Sequence, residues 1–321
     1  MPPVSRAWSR PRRRYVALLI VTIGLFILIP QAGLVWQSFA VLRNLQVDAV
    51  AGALLAIALT FPWAATSYHF LARRRLVYHR TVLVAVANMF TNRLLPAGVG
   101  SMATFFVYLR KRKHTVNQAT SVVAVNNFMG FFSHGCLLAA LLIFNHHGFK
   151  GFSGPVVKPG AVFVFLVLGS GIFAFALSRT AWRRRLLLFC ASLSRDIFFY
   201  KRFPLRLTGT FLSSTALTIA NATSLWFCVQ AVHGHLGITA ALAVFTFGII
   251  AGTATPTPGG LGGTEAGLLA GLIGYHLPSQ TAVAAIVLYR LLSYWLTLAV
   301  GGVAFAYVEW RGYLHRFEPA N

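Results

Sequence analysis

Long apolar runs separated by short basic blocks are the feature that most limits what this chain can fold into. Several runs exceed the roughly 20 apolar residues that a helix needs to cross a bilayer. Hydrophobic residues make up 57% of the 321 residues and charged residues only 10%, whereas soluble domains carry about 25% charged residues. Such a chain cannot cover its surface with groups that favour water. We therefore predict an all-α, polytopic integral membrane protein.

The charge of the chain is strongly unbalanced, with 28 lysines and arginines against five acidic residues and a net charge of +23. Basic proteins often bind nucleic acid, but these cations lie in blocks between the apolar runs, as the positive-inside rule expects of cytoplasmic loops. We therefore predict no nucleic-acid partner and cytoplasmic termini. The three cysteines are isolated, and no motif has the spacing of metal or cofactor ligands, so neither is expected.

The apolar runs predict six full spans, at 15–37, 47–72, 116–144, 161–182, 207–232 and 280–308. In this arrangement 23 cations lie in cytoplasmic segments, 3 lie outside and 2 lie at membrane depth. Segment 183–206 is basic and amphipathic, which is typical of a helix lying on the inner leaflet. The whole chain, 1–321, is predicted to be a single transmembrane domain.

Two further apolar segments, 81–109 and 238–276, are interrupted by helix-breaking residues. Segment 81–109 is too long for one crossing and too short for two, and basic blocks flank both of its ends. Both segments are therefore predicted to enter the membrane to mid-depth and turn back, which lipid tolerates only where protein or water covers the open backbone. The predicted hinge residues are Pro96, Gly98, Gly100, Pro256 and Pro258.

A shift of 162 residues aligns the two broken segments without a gap and matches identical residues at six positions, including Pro96 with Pro258 and Gly98 with Gly260. The first segment is predicted to open inside and the second outside. The pattern thus favours an inverted-topology repeat with halves 15–145 and 161–308, an architecture of many secondary transporters. The alternative is that Gly and Pro only mark helix ends, as they do in any polytopic protein.

Three charged residues, Arg93, Glu265 and Arg290, fall at predicted mid-depth. A helical rise of about 1.5 Å per residue places Glu265 and Arg290 at the same level, roughly 15 Å from the outer face. An ionised group there costs at least about 2.5–3.5 kcal/mol, so such residues pair or line a wet cavity. Two cations against one anion leave a positive centre that would stabilise a phosphate. Alternatively, Glu265 and Arg290 only pin the second hairpin to the last span.

Backbone and amide groups extend this predicted binding site. Glycines beside a helix start let backbone N–H groups face an anion, and amides at similar depth can add hydrogen bonds. The residues of these two kinds are Gly259, Gly260, Gly262, Gly263, Asn88, Asn92, Asn126 and Asn127. A single buried carboxylate provides no second acid or base, so no catalytic residue is predicted.

The stretch TPTPGGLGGTEAGLLAGL, followed by A-x-x-L-Y-R-L-L-S-Y-W, resembles the lysylphosphatidylglycerol synthase transmembrane-region family of flippase-like membrane proteins. The segment NRLLPAGVGSMATFFVYLRKRKH is similar to the first-half motif of that family. The family motif falls on Pro258, Gly259, Gly260, Gly262, Gly263, Glu265, Tyr289 and Arg290. The resemblance covers the part that moves aminoacylated phosphatidylglycerol between leaflets, and we expect no aminoacyl-transferase domain.

The resemblance implies a stand-alone transporter of the bacterial cytoplasmic membrane that moves a phosphate-bearing lipid: a phospholipid, aminoacylated phosphatidylglycerol or an isoprenoid-linked lipid. The expected partners are membrane lipids with anionic head groups, and a separate lipid-modifying enzyme is a further candidate. One alternative is an integral-membrane transferase, or a non-catalytic subunit, acting on a polyprenyl-phosphate lipid. Another is an assembly partner that recruits a cytosolic enzyme through segment 183–206.

Overall fold

A computed structural model describes residues 44–95, 98–144, 200, 202–255, 257 and 259–314. These residues form helices joined by short turns, with no strand among them. The helices are α1 (Val47–Leu71), α2 (Tyr78–Leu94), α3 (Val99–Lys111), α4 (Val116–Phe144), α5 (Pro204–Ala231), α6 (Ile238–Ala254), α7 (Gly263–Gly274), α8 (Ser279–Arg290) and α9 (Thr297–Trp310). A π-helical segment, Leu291–Leu296, joins α8 to α9 into one run of 32 residues.

Four of the described helical stretches are long and apolar enough to cross a membrane: α1, residues 116–141 of α4, α5, and the continuous α8–α9 helix. They correspond to four of the six predicted spans, and the chain is an integral membrane protein. The predicted spans 15–37 and 161–182 lie outside the described residues, as does nearly all of the interfacial segment 183–206.

The two broken segments form two helical hairpins, α2–α3 and α6–α7. Within each pair the helices run antiparallel, as the contacts of Gly248 with Leu268 and of Gly252 with Thr264 show for α6 and α7. Both turns contain a glycine with positive φ, Gly98 at 72° and Gly260 at 68°, a conformation that favours glycine because it has no Cβ. The other predicted hinge residues at the tips, Pro96, Pro256 and Pro258, lie outside the described residues.

The first hairpin is closed so tightly that a side chain at Gly100 has no room. A Cβ atom built there would lie 2.0 Å from the backbone oxygen of Thr91 on the facing helix. Thr91 Oγ1 lies 2.7 Å from Thr104 Oγ1, and the Thr104 hydroxyl donates to the Gly100 carbonyl at 2.9 Å. The hydroxyls thus satisfy one another where the two backbones approach most closely, as small and hydroxylated residues do between membrane helices.

Helices α1 and α5 form the most extensive helix pair and run antiparallel. The Gln46 N–H at the start of α1 donates to the Ala231 carbonyl at the end of α5 (3.0 Å), while Thr210 near the start of α5 donates to the Ser67 carbonyl near the end of α1 (3.4 Å). Gly209 lies beneath the ring of Phe70. These contacts place the start of α1 beside the end of α5, and the end of α1 beside the start of α5.

The turns gather at two ends of the bundle, and one of these ends is basic. Arg80 and Arg112 both lie over the ring of Tyr313, at 5.4 and 5.7 Å from its centroid. The start of α2 and the ends of α3 and α9 therefore meet there. His114 links two turns at this end by accepting the Arg74 backbone N–H on Nε2 (3.3 Å). Burial lowers the pKa of His114, which keeps the ring neutral and able to accept this hydrogen bond.

The opposite end holds the turns that precede α1 and follow α5. His233 Nδ1 lies 3.0 Å from Gln46 Nε2, and a Cβ on Gly234 would touch Thr281 at the start of α8. Hairpin α6–α7 opens toward this end, whereas hairpin α2–α3 opens toward the basic end. The open ends of the two hairpins therefore lie at opposite ends of the bundle.

Candidate functional site

An ion pair joins the second hairpin to the middle of the last long helix. Glu265 Oε1 lies 2.8 Å from Arg290 Nε, in a contact without hydrogen-bond geometry, and Glu265 Oε2 accepts the Gly262 N–H at 2.7 Å. Glu265 thus caps the start of α7 and holds Arg290 at the same time. The Arg290 residue is only 7% exposed, whereas the Glu265 side chain is 19% exposed, so the arginine is the better shielded partner.

The ring of Tyr294 lies close to the guanidinium groups of two arginines from different parts of the chain. Arg93 lies 5.0 Å from the ring centroid and Arg290 lies 5.8 Å from it, distances at which a cation is attracted to an aromatic face. Arg93 Nη2 also donates to the Ser293 carbonyl at 2.9 Å. Ser293 and Tyr294 belong to the π-helical segment, a geometry that is frequent at functional sites.

The tip of the second hairpin packs against this same ring. A Cβ atom on Gly259 would lie 2.5 Å from Tyr294 Cε2 and 3.4 Å from Arg93 Cδ, and the φ of Gly259 is 64°. Only glycine allows this approach without strain. The first hairpin, the second hairpin and the last long helix therefore meet at one point, which we call the arginine cluster: Arg93, Gly259, Glu265, Arg290 and Tyr294.

The remaining glycines of the second tip shape the turn. The Gly260 N–H donates to the Thr257 carbonyl at 3.1 Å, and the Gly262 N–H is taken by Glu265. A Cβ on Gly263 would lie 2.1 Å from Thr255 Oγ1, so Gly263 permits close packing of α6 and α7. The N–H groups of Gly260 and Gly262 thus serve the fold, and the arginines are the stronger anion-binding groups here.

The arginine cluster carries an excess of positive charge, with two guanidinium groups and one carboxylate. Arg290 Nη2 and Arg93 Nε are buried and have no hydrogen-bond partner among the residues that the structure describes. Buried polar groups are almost always hydrogen-bonded, and an unpaired guanidinium nitrogen is especially costly. A phosphate would balance the charge and accept from both nitrogens. Because protein covers both nitrogens here, the cluster would have to open before a phosphate could reach them.

The predicted asparagines line a separate cavity of about 650 Å³, the wall of which is mostly apolar. Asn88, Asn92, Asn126 and Asn127 all contribute to its wall, together with side chains of α1, α3, α5 and α6. The lining residues do not include Arg93, Glu265 or Arg290 of the cluster. Asn92, which does line the cavity, directly precedes Arg93 in the chain. The structure therefore divides the predicted site into a charged cluster and a neutral cavity.

Tyr289 borders the arginine cluster, close enough to Arg93 and Arg290 to interact with both electrostatically. It is 4% exposed and packs in the core beside Phe245, with the ring centroids 6.4 Å apart.

An apolar groove of about 500 Å³ lies beside the asparagine-lined cavity, between α3 and α4. Val99, Met102, Phe106 and Phe128 are among its lining residues. Asn127 lines both the groove and the cavity, so the two spaces are neighbours. Both walls are mostly apolar, and the asparagines add polar groups to that of the cavity.

Comparison with protein families finds a match over residues 15–301 to the family described as lysylphosphatidylglycerol synthase TM region. The chain belongs to this family. The match confirms the resemblance seen in the sequence and supports a lipid-related function in a membrane. Comparison with curated proteins gives no match.

The sequence did not predict Tyr294 or Ser293 as site residues, although both fall within the motif that carries the resemblance to the family. Tyr294 follows Arg290 by four residues, a spacing at which side chains on a helix are neighbours. An aromatic residue at that spacing from a buried arginine was the available signal. The contact of Tyr294 with Arg93, 201 positions earlier in the sequence, had no such signal.

Proposed function

We propose that the chain is a flippase-like transporter that moves a phosphate-bearing lipid between the leaflets of the bacterial cytoplasmic membrane. The observation that carries the proposal is the meeting of the two hairpin tips at a pair of arginines, one of which, Arg290, lies within a helix long enough to span a membrane. Arg290 is the twelfth residue of the 32-residue helix Ser279–Trp310. A binding site at mid-depth between broken helices is the arrangement that alternating access requires.

The order and lengths of the helices support an inverted repeat. A long helix, two short helices and a long helix occur twice: 25, 17, 13 and 29 residues in α1–α4, and 28, 17, 12 and 32 residues from α5 to the end of α9. The counterpart helices α1 and α5 run antiparallel, and the paired hairpins open at opposite ends. By the positive-inside rule we place the basic end, and with it both termini, in the cytoplasm.

In this proposal the arginine cluster binds the lipid phosphate, and the two hairpin tips act as alternating gates. Arg93 is on the first hairpin, and Glu265 on the second hairpin contacts Arg290. The affinity for a phosphate bound between Arg93 and Arg290 would therefore depend on the positions of both tips. The groove between α3 and α4 would guide an acyl chain while the rest of the tails stay in the bilayer.

Glu265 is ill suited to the transferase alternative. Both of its carboxylate oxygens are engaged, one by Arg290 at 2.8 Å and one by the Gly262 N–H at 2.7 Å. Both oxygens are thus directed at groups of the protein. We therefore give Glu265 the role of positioning Arg290.

Replacing Arg93 with glutamine tests the proposal. The full chain is reconstituted in liposomes with a trace of fluorescent phosphatidylglycerol, and dithionite reports how fast the lipid reaches the outer leaflet. Arg93→Gln is expected to slow this movement at least about tenfold, because a hydrogen bond to a charged group contributes roughly 1.5–3 kcal/mol. The matched control, Arg75→Gln, removes an exposed arginine of the basic end and should leave the rate within about twofold. Movement no faster than in protein-free liposomes would refute transport, and an unaltered rate in Arg93→Gln would remove this residue from the path.

A further inference from the structure

The buried apolar residues that the structure describes form two separate clusters, and each cluster contains one hairpin. The basic-end core consists of residues of α1–α4 and α9 with those of the adjoining turns, among them Val84 and Phe105 of the first hairpin. The opposite-end core consists of residues of α1 and α5–α8 with those of their turns, among them Val244 and Leu268 of the second hairpin. The two cores share no residue, so each hairpin is packed into a core of its own.

The last long helix passes from one core to the other at its π-helical segment. Residues from Ala282 to Tyr289 contribute to the opposite-end core, whereas Ala304 and Val308 contribute to the basic-end core. The π-helical segment 291–296 lies between them and contributes no buried member to either core. A π-helical turn inside an α-helix is a common place for the helix to bend. The two cores are thus joined here by the least regular part of the helix.

The other two helices that run between the cores also contain weak points. In α1, Pro62 lies between Ala53 of the opposite-end core and Tyr68 of the basic-end core, and a proline inside a helix removes a backbone hydrogen bond and kinks it. In α5, the hydroxyls between Leu207 and Ala222 donate back to carbonyls of their own helix, a pattern that often bends helices. These hydroxyls belong to Thr210, Ser213, Thr215 and Thr218. All three helices can therefore bend between the cores.

The π-helical segment is held by two side chains, one of which comes from the first hairpin. Arg93 Nη2 donates to the Ser293 carbonyl at 2.9 Å. The hydroxyl of Thr297, a residue that is 6% exposed, lies 2.6 Å from the same carbonyl and 3.1 Å from that of Tyr294. A phosphate is a stronger acceptor for a guanidinium than a neutral carbonyl is. A phosphate that binds Arg93 therefore competes with the Ser293 carbonyl.

We propose that segment 291–296 is a helix hinge between the two cores, and that the hydrogen bond from Arg93 to the Ser293 carbonyl is a latch that a phosphate releases. The inference rests on the proposed function and deepens it, because it states how the covered arginine cluster opens. When the latch is released, the helix bends and Tyr294 moves away from the second tip, which contacts its ring at Gly259. Thr297 is a positioning residue that holds the helix hinge together with Arg93.

Amide hydrogen exchange of the full chain tests the latch, with short-chain phosphatidylglycerol as the probe. Dodecyl maltoside micelles are used because they contain no phosphate. The rate of exchange reports the free energy of local opening. Addition of the lipid should speed exchange in segment 291–300 at least about tenfold, which equals about 1.4 kcal/mol, while α3 and α7 should change by no more than about twofold. Exchange in 291–300 that is unchanged or slower, as when a ligand only stabilises the protein, would overturn the inference.

Substitutions of Thr297 test the helix hinge without any lipid. Thr297→Val removes the hydroxyl and keeps the branched shape, so exchange in 291–300 should become at least about fivefold faster. Thr297→Ser keeps the hydroxyl and should retain the slow exchange of the wild type. The matched control is Thr246→Val, because Thr246 is also buried and donates to the Leu242 carbonyl of α6 at 2.8 Å.

The control should leave exchange in 291–300 as it is in the wild type. Equal exchange there in Thr297→Val and Thr246→Val would remove Thr297 from the helix hinge. The effect of lipid on the wild type still tests the latch if Thr297→Val fails to fold.

Hydrogen exchange and the dithionite assay together separate this inference from the proposed function. Lipid-induced opening of segment 291–300 in a protein that moves no lipid between leaflets would support the latch and refute transport. Movement of lipid without this opening would support transport and refute the latch.

Discussion

Replacing Arg290 with methionine is expected to lower the free energy of unfolding by about 3–5 kcal/mol and to abolish lipid movement. The large effect on stability follows because the substitution leaves the carboxylate of Glu265, the side chain of which is only 19% exposed, without its cation. The effect on movement follows because the cluster loses the guanidinium nitrogen that is free to bind a phosphate. Unfolding in mixed micelles, followed by tryptophan fluorescence, and the dithionite assay measure the two effects.

A second substitution separates the structural role of the ion pair from its role in binding. In the double variant Glu265→Gln, Arg290→Met the buried charge is gone, and the glutamine oxygen can still accept the Gly262 N–H. We expect the double variant to recover most of the lost stability, since replacing both partners of a buried pair is often nearly neutral. Lipid movement should stay at least about tenfold below the wild type. Recovery of movement together with stability would show that the pair only pins the second hairpin to the last helix.

Replacing Gly100 with alanine is expected to destabilise the protein by about 3 kcal/mol, at the upper end of the usual cost of overpacking. The added Cβ would lie 2.0 Å from Thr91 O and 2.4 Å from Thr91 C. These are backbone atoms, which cannot rotate away as a flexible side chain can, so α2 and α3 must separate. The measurement is the same unfolding titration, with helix content followed by circular dichroism.

Gly135→Ala is the matched control for this prediction. Gly135 also lies in a helix, but a Cβ there has no atom within 4 Å. Its replacement should change the stability by no more than about 1 kcal/mol, in the stabilising direction, because alanine is the better helix former. If Gly100→Ala were as stable as Gly135→Ala, the tight closure of the first hairpin would be wrong.

The long helices and the hairpins could be predicted from the sequence because both depend on local properties of the chain. An apolar run of sufficient length forms a helix wherever it meets lipid, since the backbone must satisfy its own hydrogen bonds. A Gly-rich interruption ends such a helix, and Gly98 and Gly260 adopt the positive φ that glycine favours. The Glu265–Arg290 contact was predictable for a similar reason, because two opposite charges at equal depth in an apolar medium pair.

The division of the predicted site into a cluster and a cavity could not be predicted from the sequence. The helical rise gives the depth of a residue but not the direction in which it faces, which depends on how each helix is rotated against its neighbours. Asn92 and Arg93 are adjacent in the chain, yet Asn92 lines the cavity while Arg93 lies on Tyr294. Likewise, the residue types at 291–296 do not indicate that this segment forms a π-helix. The π-helix sets the direction in which Tyr294 points.

The most direct test of the central claim, that paired arginines at mid-depth bind a lipid phosphate, is a cryo-electron microscopy structure of the full chain in nanodiscs containing phosphatidylglycerol. The expected result is a phosphate within hydrogen-bond distance, about 3 Å, of both Arg290 Nη2 and the guanidinium of Arg93. A lipid bound elsewhere in the bundle, with the arginine cluster closed and dry, would contradict the claim.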